Sequence, residues 1–98
     1  MHEQIEHFLA YMAGDRRMSD NTTAAYRTDL EQLCTFLDER QVTGWESVTH
    51  DDMLAFMLFL RERHYATSTV ARRTAAVKSF FGYLATQHVI ASDPTSQI

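Results

Sequence analysis

The sequence has few of the residues that interrupt regular structure, with three glycines and one proline in 98 residues. Glycine frees the backbone and proline removes a hydrogen-bond donor, so their scarcity favours long unbroken helices over a turn-rich β fold. Cysteine is equally scarce, since Cys34 stands alone. A single cysteine excludes an internal disulfide and a multi-cysteine zinc site. It fits a small core residue in a reducing compartment better than a reactive thiol.

Long apolar segments are also missing. The longest apolar run covers residues 53–60, whereas a helix that crosses a bilayer needs roughly 18 to 20 residues. The N-terminus has neither a basic flank nor an apolar stretch, so we expect no signal peptide. With 45% hydrophobic and 22% charged residues, the chain suits a single globular domain with one core. These features predict a cytoplasmic protein with no membrane partner.

Charge is distributed unevenly along the chain, whose net charge is −4. Residues 1–60 carry four basic and eleven acidic side chains, a net charge of −7, while residues 61–98 carry five basic and two acidic ones, a net charge of +3. No acidic residue occurs between Arg63 and Ser92. The acidic total argues against nucleic-acid binding, whereas the basic segment late in the sequence keeps that function possible.

Two helices are predicted in the first half of the chain. The first carries apolar residues at i, i+3, i+4 and i+7 from Ile5 to Met12, and Gly14 stands where a C-terminal cap is expected. The second is expected at about residues 20–40, because cap-forming Ser, Asp and Asn side chains precede a stripe spaced i, i+4, i+7 and i+11 from Tyr26. We assign Tyr26 to the core.

Two further helices follow a loop at residues 41–47, in which Trp45 is expected to fold back onto the core. Thr49 and the acidic Asp52 three residues later resemble a capping box that begins the third helix. That helix is apolar on nearly every side, so we expect it to be the most buried. The fourth helix should begin near Thr67 and end at about His88.

The fourth helix has an apolar arc and a polar arc. At about 100° per residue, the polar arc holds Ser68, Arg72, Ala75, Ser79 and Thr86. Lys78 lies to one side, and Arg73 borders the apolar arc, where its stem packs and its head group reaches outward. Such a face suits a DNA major groove, because hydroxyls reach phosphates and arginine pairs with guanine. A solvated helix face explains the same pattern, and periodicity alone leaves both interpretations open.

No catalytic or metal-binding constellation is visible. The five histidines are scattered, and no two of them stand at i, i+4 with an acid between them. Asp51 and Asp52 diverge by about 100° on a helix, and a helix N-terminus accounts for both. Phosphate-binding loops, a nucleophile elbow and a dinucleotide fingerprint are absent. We expect no metal, no cofactor, no small-molecule substrate and no catalysis by this chain.

Two segments resemble signatures of a known family. Residues 19–30 read SDNTTAAYRTDL, which resembles the S-x-N-T-x-x-x-Y-x-x-D-L pattern of tyrosine recombinases of the phage integrase family, in Xer-like and integron-integrase-like versions. Residues 66–84 read ATSTVARRTAAVKSFFGYL and look like the last core-binding helix of that family. Asp93 and Pro94 stand where the family has a linker dipeptide. The resemblance covers nearly the whole chain in the right order.

The resemblance implies an all-α fold, a four-helix SAM-like orthogonal bundle that forms the core-binding domain of tyrosine recombinases. The domain would cover residues 1–90, and residues 91–98, which show no packing signal, would begin the linker to a C-terminal catalytic domain. Helices 2 and 4 of the family approach the major groove. The DNA-binding residues carried over by position are Asn21, Thr22, Arg27, Ser68, Thr69, Arg73 and Lys78. The outward arc of the fourth helix adds Arg72.

The function implied is binding of double-stranded DNA at a recombination site, for integration or strand exchange by a catalytic domain in the same polypeptide. Partners would be duplex DNA and other recombinase subunits in a tetramer, in a bacterial or phage setting on the nucleoid. Tyr65 and Tyr83 are not expected to be the nucleophile, since no Arg and His cluster accompanies them. Because the first 60 residues are acidic, we expect weak DNA binding by this chain alone. The alternative is a helical protein–protein interaction module without DNA binding, using its acidic face.

Overall fold

Four helices and one short 3₁₀ turn make up the chain, whose residues 1–98 are all described by a computed structural model. The elements are α1 (His2–Gly14), α2 (Asp20–Glu39), a 3₁₀ turn (Trp45–Ser47), α3 (His50–Glu62) and α4 (Thr67–Thr86). The predicted all-α, four-helix fold is confirmed, and α2 and α4 end within two residues of the predicted positions. None of the helices has the length and apolar character needed to cross a membrane.

One buried cluster of 18 residues joins all four helices and the 3₁₀ turn. Trp45 is 3% exposed, and its indole Nε1 donates a hydrogen bond to the Met1 carbonyl at 3.0 Å. Its ring meets Phe80 of α4 edge-on, with centroids 4.8 Å apart, so the predicted anchor is confirmed. Cys34 is buried in the same cluster, and burial raises the pKa of its thiol to about 11. Tyr26 is half-buried and packs against the cluster.

The helix ends differ from expectation, because no glycine takes a left-handed conformation. Gly14 is the last residue of α1 and Asp15 keeps a right-handed backbone, so the predicted cap at Gly14 is wrong. The left-handed residue of that turn is Arg17, at φ 54°. Gln41 and His88, which follow the ends of α2 and α4, are also left-handed. A residue with a Cβ pays only about 1–2 kcal/mol in this region, which the packing of the adjoining helices offsets.

The third helix is covered on one side only. Phe56 and Leu60 are fully buried, whereas Leu54 and Leu58 are 45% and 58% exposed. The helix buries four of its 13 residues, the same number as the equally long α1, so it does not stand out as the most buried of the four and it is not enclosed on all sides as expected. The physical reason is its place in the bundle, because α3 packs against α2 and α4 but not against α1. Two neighbours cannot enclose a helix, so an apolar outer face remains in contact with water.

The tail at residues 91–98 folds back onto the bundle, although no packing signal was expected there. Thr95 is 1% exposed, and its amide and hydroxyl both donate to Asp93 Oδ1, at 2.8 Å and 2.7 Å. Lys78 Nζ of α4 donates to the carbonyl of Ile98 at 2.8 Å. A short turn closed by one aspartate has no periodicity, which is why the hydrophobic pattern did not indicate it.

The first turn of α3 forms the predicted capping box. Thr49 Oγ1 accepts from the Asp52 amide at 3.1 Å, and Asp52 Oδ2 accepts from the Thr49 amide at 2.9 Å. Arg40 Nε donates to Asp52 Oδ1 at 3.1 Å. Burial alone raises the pKa of Asp52, but the hydrogen bonds from Thr49 and Arg40 outweigh it, so the pKa is lowered overall.

We expect Thr49→Ala to lower the free energy of unfolding by about 1 kcal/mol, because the Asp52 amide loses its acceptor. Urea denaturation monitored by circular dichroism measures the change. Thr35→Ala is the matched control, since Thr35 is exposed on α2 and its hydroxyl bonds only the carbonyl of Glu31. Alanine favours helix there, so the control should be neutral or slightly stabilising. Equal losses in the two variants would contradict the capping role.

The capping box also predicts a pH dependence. Because folding lowers the pKa of Asp52 below its ordinary value of 3.8, its contribution to stability is complete above that value. This contribution is lost as the pH falls through the lower pKa that Asp52 has in the folded state. Asp52→Asn should therefore be less stable than the parent at neutral pH, and the gap should narrow toward about pH 3. A gap that stays constant over this range, measured by urea denaturation, would refute the assignment.

Candidate nucleic-acid interface

The contact between α2 and α4 is organised by one buried carboxylate. Asp29 of α2 is 0% exposed. Arg72 Nε and Nη2 donate to its two oxygens at 3.0 Å and 2.7 Å, and Arg73 Nε lies 3.3 Å from Oδ1. A buried carboxylate is costly unless it is paired and hydrogen-bonded. Asp29 therefore orients two consecutive arginines of α4, and its hydrogen bond raises the pKa of Arg72 against the opposing effect of burial.

Arg73 points into the protein rather than outward. Its Nη1 donates to Gln32 Oε1, and its guanidinium lies 4.5 Å from the centre of the Tyr65 ring. Gln32 Nε2 donates to Tyr65 Oη at 2.8 Å, and Arg63 Nε donates to the same oxygen at 3.1 Å. The hydrogen bonds from Arg63 and Gln32 lower the pKa of Tyr65. With its side chain 13% exposed, Arg73 does not reach out as expected, and its contact with DNA stays a prediction.

Arg72 is different, because its side chain is 41% exposed. The guanidinium has five N–H donors, of which Asp29 takes the Nε–H and one Nη2–H. The three remaining donors lie on Nη1 and Nη2, at the tip of the side chain. The rest of the predicted polar arc of α4 is exposed as expected, namely Ser68, Ala75, Ser79 and Thr86.

The start of α2 holds the next group of predicted residues. Ser19 Oγ caps the helix by accepting from the Thr22 amide at 3.2 Å, and it also bonds the Thr22 hydroxyl at 2.9 Å. Asn21 is exposed and its side chain makes no hydrogen bond within the chain. Arg27 forms an ion pair with Glu6 of α1, and that hydrogen bond raises the pKa of Arg27.

The structure thus brings only two of the eight predicted residues directly together, Arg72 and Arg73 on Asp29. Arg27 pairs with α1 and Lys78 with the carbonyl of the chain end. Ser68 and Thr69 stand at the start of α4 without side-chain hydrogen bonds, the first exposed and the second half-buried. No three His, Cys, Asp or Glu side chains lie close enough together to hold a metal ion.

Sequence reasoning missed Asp29 as the organising residue, although a signal was present. Asp29 follows Tyr26 by three residues and precedes Leu33 by four, so it falls on the apolar stripe of α2. An acidic residue on a buried stripe requires a cationic partner. The adjacent Arg72 and Arg73 are the pair that supplies it.

We expect Asp29→Ala to lower the free energy of unfolding by about 3 kcal/mol, because Arg73 loses the carboxylate beside its buried Nε. Arg72→Ala should cost a comparable amount, because it removes both hydrogen bonds to the buried Asp29, and Arg73 Nε, 3.3 Å from Oδ1, forms no hydrogen bond that replaces them. Urea denaturation of both single variants and the double variant gives the coupling between the two side chains.

Glu31→Ala is the matched control, because Glu31 is an exposed acid on the same helix and forms no ion pair. A surface substitution of this kind should stay within about 0.5 kcal/mol of the parent. If Asp29→Ala cost no more than Glu31→Ala, the buried carboxylate would not be what holds α2 and α4 together.

Comparison with known proteins gives consistent results over the whole chain. The family described as "Phage integrase, N-terminal SAM-like domain" matches residues 5–88. A tyrosine recombinase XerC from Roseiflexus castenholzii is 58% identical over 98 residues, which is all of this chain and 31% of that protein. The tyrosine recombinase XerC of Herpetosiphon aurantiacus is 55% identical over 98 residues, again all of this chain and 32% of that protein.

More distant relatives align in the same way. A tyrosine recombinase XerC from Listeria monocytogenes is 31% identical over 93 residues, covering 95% of this chain and 31% of that protein. The chain therefore spans about a third of the length of the curated relatives it matches. With the family matched over residues 5–88, the chain belongs to the phage integrase, or tyrosine recombinase, family as its N-terminal SAM-like domain.

Proposed function

We propose that this chain binds duplex DNA as the N-terminal domain of a site-specific tyrosine recombinase and holds a recombination site for a catalytic domain in the same polypeptide. The observation that carries the proposal is the state of Arg72. Its guanidinium is held by two hydrogen bonds to a buried carboxylate while its tip faces solvent. A single helix face thus presents a fixed cationic fork among small and hydroxyl side chains.

A fixed fork suits DNA recognition. An arginine fork matches the O6 and N7 atoms of guanine, and it also matches a phosphate. Because Asp29 already orients Arg72, less side-chain entropy is lost when DNA binds. The small residues around Arg72, Ser68 one turn before it and Ala75 one turn after it, leave room for a helix to approach the floor of the major groove.

The other predicted residues fall into two groups by their present partners. Asn21, Ser68 and Thr69 have no side-chain hydrogen bonds and would meet phosphates or base edges directly. The remaining ones would exchange an internal partner for DNA, and these are Thr22, Arg27, Arg73 and Lys78. Because each of these side chains would give up a contact within the chain, the net free energy gained on binding DNA would be smaller. These contacts would therefore add less affinity than their charge suggests.

Charge bookkeeping supports weak binding by the domain alone. Four of the basic residues, Arg27, Arg40, Arg72 and Arg73, lie in ion pairs within the chain, and the net charge is −4. Phosphate neutralisation supplies a large share of affinity in protein–DNA complexes. The remaining two thirds of the full-length protein, reached through residues 91–98, would therefore provide most of it. That part would also hold the strand-cleaving tyrosine with its Arg, His and Lys partners.

The setting follows from the same proposal. The full-length protein would act in the cytoplasm on the nucleoid, with other recombinase subunits as partners in a tetramer on two DNA sites. This domain would contribute no metal, no cofactor and no catalytic side chain. The alternative function, a protein interaction module without DNA binding, is a defined outcome of the experiment below.

We expect the chain to bind short duplexes at low salt and to lose affinity as salt rises, with a slope of log K against log salt of about −3 for roughly three phosphates. Arg72→Ala/Lys78→Ala should weaken binding at least tenfold and make the slope shallower by about 2. Fluorescence anisotropy at several salt concentrations measures both quantities.

Arg61→Ala is the matched control, because Arg61 is exposed on α3 and forms no ion pair within the chain. A further variant, Arg72→Lys, keeps the charge but loses the fork, so it should keep the salt slope and reduce discrimination between sequences. The protein-interaction function would stand instead if two results were found together. The chain would show no binding to DNA at low salt, and Arg72→Ala/Lys78→Ala in the full-length protein would leave the DNA affinity unchanged.

A further inference from the structure

The outer face of α3 carries the most exposed leucines of the chain. Leu54 and Leu58 are 45% and 58% exposed, and they are four residues apart, so they lie next to each other on one helix face. Val89 is the only other large hydrophobic residue that is exposed to this degree, at 38%. Neighbouring exposed leucines on a helix are unfavourable in water unless another surface covers them.

The charges beside these leucines are arranged symmetrically about Phe56, the midpoint of α3. Asp51 stands three residues before Leu54, and Arg61 stands three residues after Leu58. All four side chains fall on one side of the helix, within an arc of about 80° at 100° per residue. Asp51 and Arg61 are exposed and form no ion pair within the chain.

This symmetry has a direct consequence for two antiparallel copies of α3 whose outer faces meet at the level of Phe56, the side chain of which lies in the core. Leu54 of one copy faces Leu58 of the other, and Asp51 of one copy faces Arg61 of the other. Both contacts occur twice, as a two-fold axis requires. A parallel arrangement would instead place like charges together, Asp51 against Asp51 and Arg61 against Arg61.

The first and last residues of α3 are also placed symmetrically about its midpoint. His50 begins α3 and Glu62 ends it, and both are exposed. In the antiparallel pair, His50 of one copy faces Glu62 of the other. Each end of the leucine contact would thus be closed by the oppositely charged Asp51 and Arg61, which selects a self-pairing orientation, with His50 and Glu62 as polar residues outside them.

We propose that the outer face of α3, defined as His50, Asp51, Leu54, Leu58, Arg61 and Glu62, is a two-fold contact surface whose partner is a second copy of this chain. The contact goes beyond DNA binding and does not depend on it, because none of these residues belongs to the Asp29 network or to the predicted DNA-binding set. Two leucines from each copy bury less area than a stable dimer needs. The association is therefore weak, with a Kd on the order of 10⁻⁴ M.

The leucine contact is tested first, by sedimentation velocity of the chain at low ionic strength from about 10 µM to about 1 mM. We expect the weight-average mass to rise toward that of a dimer. Leu58→Ser should weaken the association at least tenfold. Val89→Ser removes a comparable exposed side chain elsewhere and should leave the association unchanged. A chain that stays monomeric at every concentration, or equal effects of the two variants, would overturn the proposal.

Charge reversal then tests the antiparallel register. Asp51→Arg alone places two arginines opposite each other in both contacts, and Arg61→Asp alone places two aspartates there. Each variant should associate roughly tenfold more weakly than the parent, since exposed ion pairs are modest and screened by salt. An equimolar mixture of the two variants pairs arginine with aspartate at both contacts, so it should regain the affinity of the parent.

Glu3→Arg controls for the cost of a positive charge in the first turn of a helix, because Glu3 occupies that place in α1. This variant should associate like the parent, and mixing it with Arg61→Asp should restore nothing. Circular dichroism establishes that each variant is folded before mixing. Failure of the Asp51→Arg and Arg61→Asp mixture to associate better than either variant alone would refute the two-fold pairing.

Discussion

The arrangement of this domain depends on the need to neutralise one buried carboxylate. Asp29 has no contact with water, so its charge must be met inside the protein. Arg72 and Arg73 meet it from α4, which determines both where α4 lies along α2 and how it is rotated about its own axis. Arg73 turns inward from α4, whereas Arg72 reaches Asp29 from the edge of the exposed arc and keeps its tip in solvent. The small and hydroxyl residues of that arc therefore lie beside an arginine whose orientation is fixed.

The same constraint separates two roles that charge can have in nucleic-acid binding. A positive charge paired inside the protein attracts phosphates weakly, and four such pairs leave an acidic domain with little long-range attraction for DNA. A positive charge held in one orientation discriminates well between partners, because its donors point in known directions. The proposed DNA surface would therefore supply selectivity and register more than affinity.

Prediction from the sequence succeeded where the apolar period is long and failed where a few polar contacts decide the structure. The stripes of α2 and α4 extend over five turns, and their bounds were close to those observed. The outer face of α3 was misjudged because an apolar residue does not reveal which neighbours are present to cover it. Arg73 was placed outward because a long side chain at the border of two arcs can turn either way. Only the position of Asp29 inside the apolar stripe of α2 could have decided between an inward and an outward orientation of Arg73.

Two weak contacts on different surfaces can cooperate without any conformational change. If α4 binds DNA weakly and the outer face of α3 pairs weakly with a second copy, then each contact raises the effective concentration of the other once two copies share one DNA segment. Well below the proposed Kd, neither contact would hold the isolated chain, so dilute free protein would stay largely unassembled. On DNA the two contacts together would hold the assembly, which would dissolve when either contact is lost. This reversibility follows from the weakness of both proposed contacts, and a stable dimer would lack it.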